Sequence, residues 1–263
     1  MNITIINDSR DDNAAGRQKI RAYNLFHSTP HFIGVTHELE AAGNIIDALD
    51  ALGGERGVIL ANIAPRYGAA KKWKNGTPFG YFRYKKALVV STVDGLVLSL
   101  VKKFALCPDV RVLDTESATA FLVEKKIVAP ELEEHIVKSQ FRGFDFLPRI
   151  AVCLVDAKFE IGEPVPLTAF PDAPSAVWYV DNFGNCKTTL IAEDVRPDAN
   201  GEVKTKFGNL HFYERLKDVP HGEEALIVGS SGLGHKRFLE VVVQGKSAAE
   251  RFNLAVGSKI CRC

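Results

Sequence analysis

Prolines at positions 164, 166, 171 and 174 break this chain into two stretches of different rhythm. Before them, apolar runs at 3–6, 31–37, 57–63 and 87–92 have strand length. Between these runs, residues 16–26 and 45–52 carry helical apolar spacing, with Ile20, Tyr23 and Leu25 as expected core contacts and Gly53-Gly54 as a stop. An amphipathic helix through Lys103, a short strand at 110–113 and a helix over 130–138, with Pro130 in its first turn, extend the series. Strands alternating with helices predict an α/β domain with a mainly parallel sheet covered by helices. Beyond the prolines only strands follow, at 177–180, 187–191, 203–207, 225–228 and 239–243, separated by turn residues. That pattern predicts a small antiparallel barrel or sandwich. The stretch between keeps neither period, as a domain linker does. The expected division is an α/β domain at 1–160, a linker at 161–176 and an all-β domain at 177–263.

Charge and composition exclude several function classes. A formal net charge of +1 offers no field to draw nucleic acid or an acidic membrane. Basic residues do gather beside Trp73, Tyr81 and Tyr84, but in a neutral chain they read as a solvated loop. No apolar run approaches the ~20 residues of a membrane helix. Five cysteines in 263 residues are too few and odd in number for a disulfide scaffold, which points to a reducing compartment. The opening Met1-Asn2-Ile3-Thr4-Ile5-Ile6-Asn7-Asp8 is too short and too soon acidic for a signal peptide, so a cytoplasmic location is expected. His27, His31 and His37 lack a completing ligand at a metal spacing, and neither metal nor cofactor is expected.

Three motifs carry chemistry. Asp8 follows the first strand, where a polar side chain faces the crevice at the strand carboxyl ends. A helix N-cap is the plainer role, open also to Ser9, Asp11, Asp12 and Asn13. Val180-Asp181-Asn182-Phe183-Gly184-Asn185 sets a carboxylate, a ring and an amide around one glycine. A flat, polar-edged ligand needs such a set, though the same residues are also ordinary turn formers. Gly229-Ser230-Ser231-Gly232-Leu233-Gly234-His235-Lys236 approaches a phosphate loop, but His235 separates glycine from lysine, leaving a Gly-Ser turn.

These residues bring a family into view. Val180-Asp181-Asn182-Phe183-Gly184-Asn185-Cys186-Lys187-Thr188-Thr189 resembles the Asp-x-Phe-Gly-Asn-x-x-Thr-Asn motif of the S-adenosylmethionine hydroxide adenosyltransferases, relatives of the fluorinases and chlorinases. Gly222-Glu223, Gly229-Ser230-Ser231-Gly232, Leu239-Glu240-Val241-Val242 and Ala248-Ala249-Glu250 follow that family's closing pattern in order, interrupted by a five-residue insertion at 234–238. Ile5-Ile6-Asn7-Asp8, Val35-Thr36-His37-Glu38 and Val90-Ser91-Thr92-Val93-Asp94-Gly95 match its N-terminal half more loosely.

The resemblance implies a homotrimer, with a nucleoside held between the N-domain of one subunit and the C-domain of its neighbour. It implies that Asp8 binds both ribose hydroxyls and that Phe183 and Asn185 hold adenine. Asp181, Ser230 and Ser231 would hold the methionine part, and Val242 would offer its backbone to adenine. The implied reaction is displacement of methionine from ribose C5′, giving adenosine and methionine when the nucleophile is water. The catalytic residues depart from the family. Its Asp is matched by Ala64, its Arg by Lys71 and its His by Arg142, while the halogenases' Tyr and Ser are matched by Ala64 and Gly143. Arg66, Lys71 and Arg142 are left as the candidate catalytic cations, suited to gathering an anion. The other expectation is a binding protein for S-adenosylmethionine or adenosine that is catalytically silent.

Overall fold

The computed structural model describes residues 1–64 and 76–261. They form two compact units, Met1–Pro171 and Asp172–Cys263.

The first unit runs β1 (Asn2–Asn7), α1 (Asp12–Phe26), β2 (Pro30–Gly34), α2 (Glu38–Ala51), β3 (Gly57–Asn62), β4 (Phe79–Tyr84), β5 (Ala87–Thr92), α3 (Ser99–Lys103), β6 (Asp109–Leu113), α4 (Thr115–Glu124), α5 (Glu133–Lys138), α6 (Arg142–Asp145), α7 (Leu147–Leu154) and β7 (Glu163–Pro166). Seven strands make one sheet in the order β2-β1-β3-β5-β4-β6-β7. The first four are mutually parallel, and every pairing from β5 to β7 is antiparallel. The expected mainly parallel sheet therefore describes its first four strands. β3 and β5 are buried almost throughout because helices cover both faces, which is why they read as unbroken apolar runs. Ile3, Ile5, Val58, Leu60, Leu88 and Val90 pack with Phe146, Ile150 and Leu154 in one core.

Two expectations for this unit are corrected. Ile20 and Tyr23 are exposed (65% and 52%), and α1 instead buries Ala15, Gln18 and Ala22. The helix turns this face inward because the Gln18 side chain accepts from Asn7 Nδ2 at 2.5 Å. The stretch taken as a linker supplies β7, an edge strand with Pro164 opposite Arg111 and Pro166 opposite Asp109. Prolines two apart direct their nitrogens to the same edge. The ladder continues with Leu167 N–H donating to Pro108 O at 3.1 Å, so both prolines face away from β6 and no bond is lost.

The second unit contains β8 (Val177–Val180), β9 (Cys186–Ile191), β10 (Glu202–Thr205), β11 (Gly208–Tyr213), β12 (Glu224–Leu233), β13 (Lys236–Val243) and α8 (Ala248–Phe252). Their sheet, β10-β11-β12-β13-β9-β8, is open. It is not closed into the expected barrel, and it is not wholly antiparallel because β11 pairs parallel to β12. Val177, Cys186, Leu190, Leu226, Leu239, Val241 and Ile260 form its core. The expected Gly-Ser turn is also corrected. Gly229 to Gly232 belong to β12 and absorb a register shift between Val228 and Gly232, so the hairpin turns one step later.

Candidate functional site

The chain crosses from β2 over β1 to β3, so the order of the parallel strands reverses at β1. Ligands of open α/β sheets bind at the carboxyl ends of the strands at such a reversal. Asp8 stands there. Asn7, fully buried, donates to Gln18 and accepts from Ser9 N–H at 2.8 Å, while Gln18 Nε2 donates to Ser9 O at 3.3 Å. That network fixes the turn that carries Asp8, leaving the N-cap of α1 to Asp11, which accepts from Ala14 N–H at 3.0 Å. Across the reversal, Asp8 N–H donates to Asn62 O at 3.3 Å and Ala64 N–H donates to Asp8 Oδ2 at 3.1 Å.

A cleft of about 490 Å³ opens at these strand ends, lined among others by Asp8, Asn62, Ala64, Thr77, Thr92 and Arg142. Arg142 donates to Thr77 O at 2.7 Å and to Thr115 Oγ1 at 3.1 Å, with its guanidinium 5.6 Å from the Phe79 ring centre. Burial pulls this guanidinium below its usual range. The position where the resembled family has an imidazole thus holds a cation tied to the wall of the cleft. Gly143 packs on Asn62, and a Cβ there would meet Asn62 Nδ2 at 2.6 Å. Arg66 and Lys71 lie outside the described residues.

The strand-end reasoning that singled out Asp8 would also have found Asn62. Asn7 and Asn62 are register partners, and each closes an apolar strand. Nothing in the local pattern marks Thr77 or gives Arg142 its contacts.

Two of the three looser N-terminal motifs, those at 35–38 and 90–95, meet through one carboxylate. His37 caps α2, its Nδ1 accepting from Leu39 N–H at 3.0 Å, so that nitrogen carries no proton in this role. Glu38 Oε2 accepts from Leu96 N–H at 2.7 Å and fills the space over Gly95, whose φ of +64° bends the backbone around it. Both residues hold the α2 entry in place.

In the second unit, Asp181-Asn182-Phe183-Gly184-Asn185 joins β8 to β9. Asp181 Oδ1 accepts from Phe183 N–H at 2.8 Å and Asn185 N–H at 2.9 Å, while Oδ2 accepts from Asn185 Nδ2 at 3.0 Å. Gly184 has φ +82°, and its carbonyl accepts from Ala249 N–H at 2.9 Å. A Cβ on it would come within 2.2 Å of Ser247 Oγ. The loop is therefore fixed from inside and from α8. Phe183 is 72% exposed at its tip, the most exposed large apolar side chain among the described residues. Phe183 and Asn185 line a pocket of about 580 Å³ with Leu216, Val243, Gln244, Gly245, Lys246 and Ser247.

Ser231, buried on β12, has its Oγ bonded by Lys187 Nζ, which also lies 5.5 Å from the Trp178 ring centre. Because that oxygen accepts from lysine, its own proton remains to donate. Ser230 is exposed, and its carbonyl accepts from Arg237 Nη1 at 3.2 Å. Val242 is fully buried opposite Ala225, so its side chain belongs to the core. Asp181, Ser230, Ser231 and Val242 do not line the Phe183 pocket.

Residues 175–261, within the second unit, match the family described as SAM hydroxide adenosyltransferase C-terminal domain. No curated protein matches the chain. Among solved structures, an uncharacterized conserved protein from Thermotoga maritima is similar at 18% identity and TM-score 0.65, covering 98% of this chain and 100% of that one. A conserved hypothetical protein from Thermus thermophilus is similar at 20% identity and TM-score 0.58, covering 98% of each chain. At these identities the likeness shows the fold alone.

Proposed function

We propose, from a C-terminal unit that carries this domain, that the chain binds S-adenosylmethionine and cleaves it at ribose C5′ by nucleophilic displacement of methionine. With water as nucleophile the products are adenosine, methionine and a proton. The observation that carries the reading is the preset Asp181 loop, which holds an uncovered aromatic face beside an amide at a pocket. Phe183 stacks on adenine, and Asn185, whose Nδ2 is held by Asp181, turns its oxygen to an adenine donor. Asp8 accepts from the vicinal ribose hydroxyls. The Ser231 hydroxyl donates to the methionine carboxylate, with Ser230 beside it. Asp181 keeps accepting capacity for the α-ammonium beyond the three bonds of its own turn. The sulfonium is already a good leaving group, so the protein's main contribution is positioning and exclusion of bulk water. A homotrimer pairing the N-terminal unit of one subunit with the C-terminal unit of its neighbour is part of the proposal.

A specific observation favours a second reading, a silent binder of S-adenosylmethionine or adenosine. Ala64 offers no carboxylate, and Arg142 offers a tethered cation, so neither described position can take a proton from water near neutral pH.

Calorimetry with S-adenosylmethionine and with adenosine tests binding, and the expected result is saturable heat with at least one. No heat with either ends both readings. Chromatographic detection of adenosine and methionine in equal amounts then separates enzyme from silent binder. Asp8→Ala is the control, and turnover that survives it means the ribose site is elsewhere.

A further inference from the structure

Two polar groups in the β1–β3 cleft are left in a state that folded proteins rarely tolerate. Thr77 is 4% exposed and its Oγ1 has no hydrogen-bond partner. Buried hydroxyls are nearly always bonded, so an orphan lining a cleft asks for a ligand. Beside it, Arg142 is a half-buried cation whose contacts are a carbonyl, a hydroxyl and a ring, all neutral. No carboxylate among the described residues pairs with it, and residues 65–75 contain neither Asp nor Glu. A desolvated charge without a counter-charge is costly unless something supplies one. A guanidinium has five N–H donors, and the two bonds to Thr77 and Thr115 leave three.

We propose that Arg142 and Thr77 form a binding subsite in this cleft for a small, singly charged planar oxyanion of the carboxylate class. The remaining guanidinium donors suit a planar acceptor with two oxygens better than a sphere, and the Thr77 hydroxyl supplies a further donor. Gly76 leaves the space beside the guanidinium open, since a Cβ there would meet Arg142 Nη2 at 2.6 Å. Asp8 lines the same cleft, so a second negative charge on the ligand is disfavoured. The subsite goes beyond the proposed reaction and stands whether or not the chain turns over S-adenosylmethionine.

The test uses the full chain without S-adenosylmethionine. Formate is titrated at constant ionic strength, with chloride as the balancing salt, and thermal unfolding is followed. A saturable rise in Tm with formate and none with chloride is expected. Thr77→Val removes only the orphan hydroxyl and keeps the carbonyl that Arg142 bonds. It should weaken formate about tenfold while leaving the ligand-free protein at least as stable. Arg142→Met should abolish the response; if that variant does not fold, Thr77→Val decides alone. Absence of a saturable response in the wild type, an equal response to chloride, or unchanged formate affinity in Thr77→Val overturns the proposal.

Discussion

Phe183 projects from a turn whose bonds come from its own residues and from α8, so ring and scaffold are separable by mutation. Phe183→Ala removes a 72% exposed ring, and no stability depends on it. Its expected effect is a loss of S-adenosylmethionine affinity of roughly tenfold or more, from stacking worth about 1–3 kcal/mol, with Tm unchanged. Calorimetry and thermal unfolding on one preparation check both halves, and unaltered affinity would detach Phe183 from the ligand. Much at this scale was legible in the chain. A carboxylate directly after an apolar run marked Asp8, and a ring in a polar turn marked Phe183. Thr77 and Arg142 were not legible together, because their meeting depends on β4 and α6 arriving at one cleft from 65 positions apart. The role of Glu38 was hidden for the same reason. Glu38 reaches a backbone turn 58 positions away.

α4 begins at an Asp114 cap that accepts from both Ser117 N–H (2.9 Å) and Ser117 Oγ (2.8 Å). Those two bonds hold the Asp114 carboxyl below its usual range. A depressed folded-state pKa contributes stability that is fully present above the unfolded value of about 4 and lost as pH falls through the folded one. Asp114→Ala should cost about 1 kcal/mol at pH 7 and less below pH 4, whereas Asp114→Asn should keep the cap and lose that pH dependence. Urea unfolding at pH 7 and pH 3 distinguishes them; an equal cost of Asp114→Ala at both would remove the cap from acid stability. Element boundaries in the first half followed from apolar runs, which long buried parallel strands display plainly. Phe79-Gly80-Tyr81-Phe82-Arg83-Tyr84 did not read as β4, because its aromatics sit among basic residues that suggest a loop. The inward face of α1 was misjudged because a buried Gln18, chosen by its bond to Asn7, outweighed Ile20 and Tyr23.

At the scale of the whole molecule, the proline shift marked a real change of architecture but not its position. The unit boundary falls after Pro171, since β7 belongs with the strands before it. The open second sheet escaped prediction because spacing of short strands does not say whether the last pairs with the first. Open sheets carry a liability, since each free edge is a template for another chain. On β7 both proline nitrogens face outward, so that margin lacks two of the donors a foreign strand would need. Pro164 and Pro166 thus act as a terminator for sheet growth, one that costs the molecule no internal bond. Replacing both with Thr should preserve far-UV circular dichroism yet raise concentration-dependent light scattering. Scattering no higher than in the parent would mean that this margin is guarded by something other than its prolines. Any assembly of this chain is accordingly steered towards side-chain surfaces and away from fusion of sheets along β7, a bias that keeps a closed oligomer distinct from a fibre.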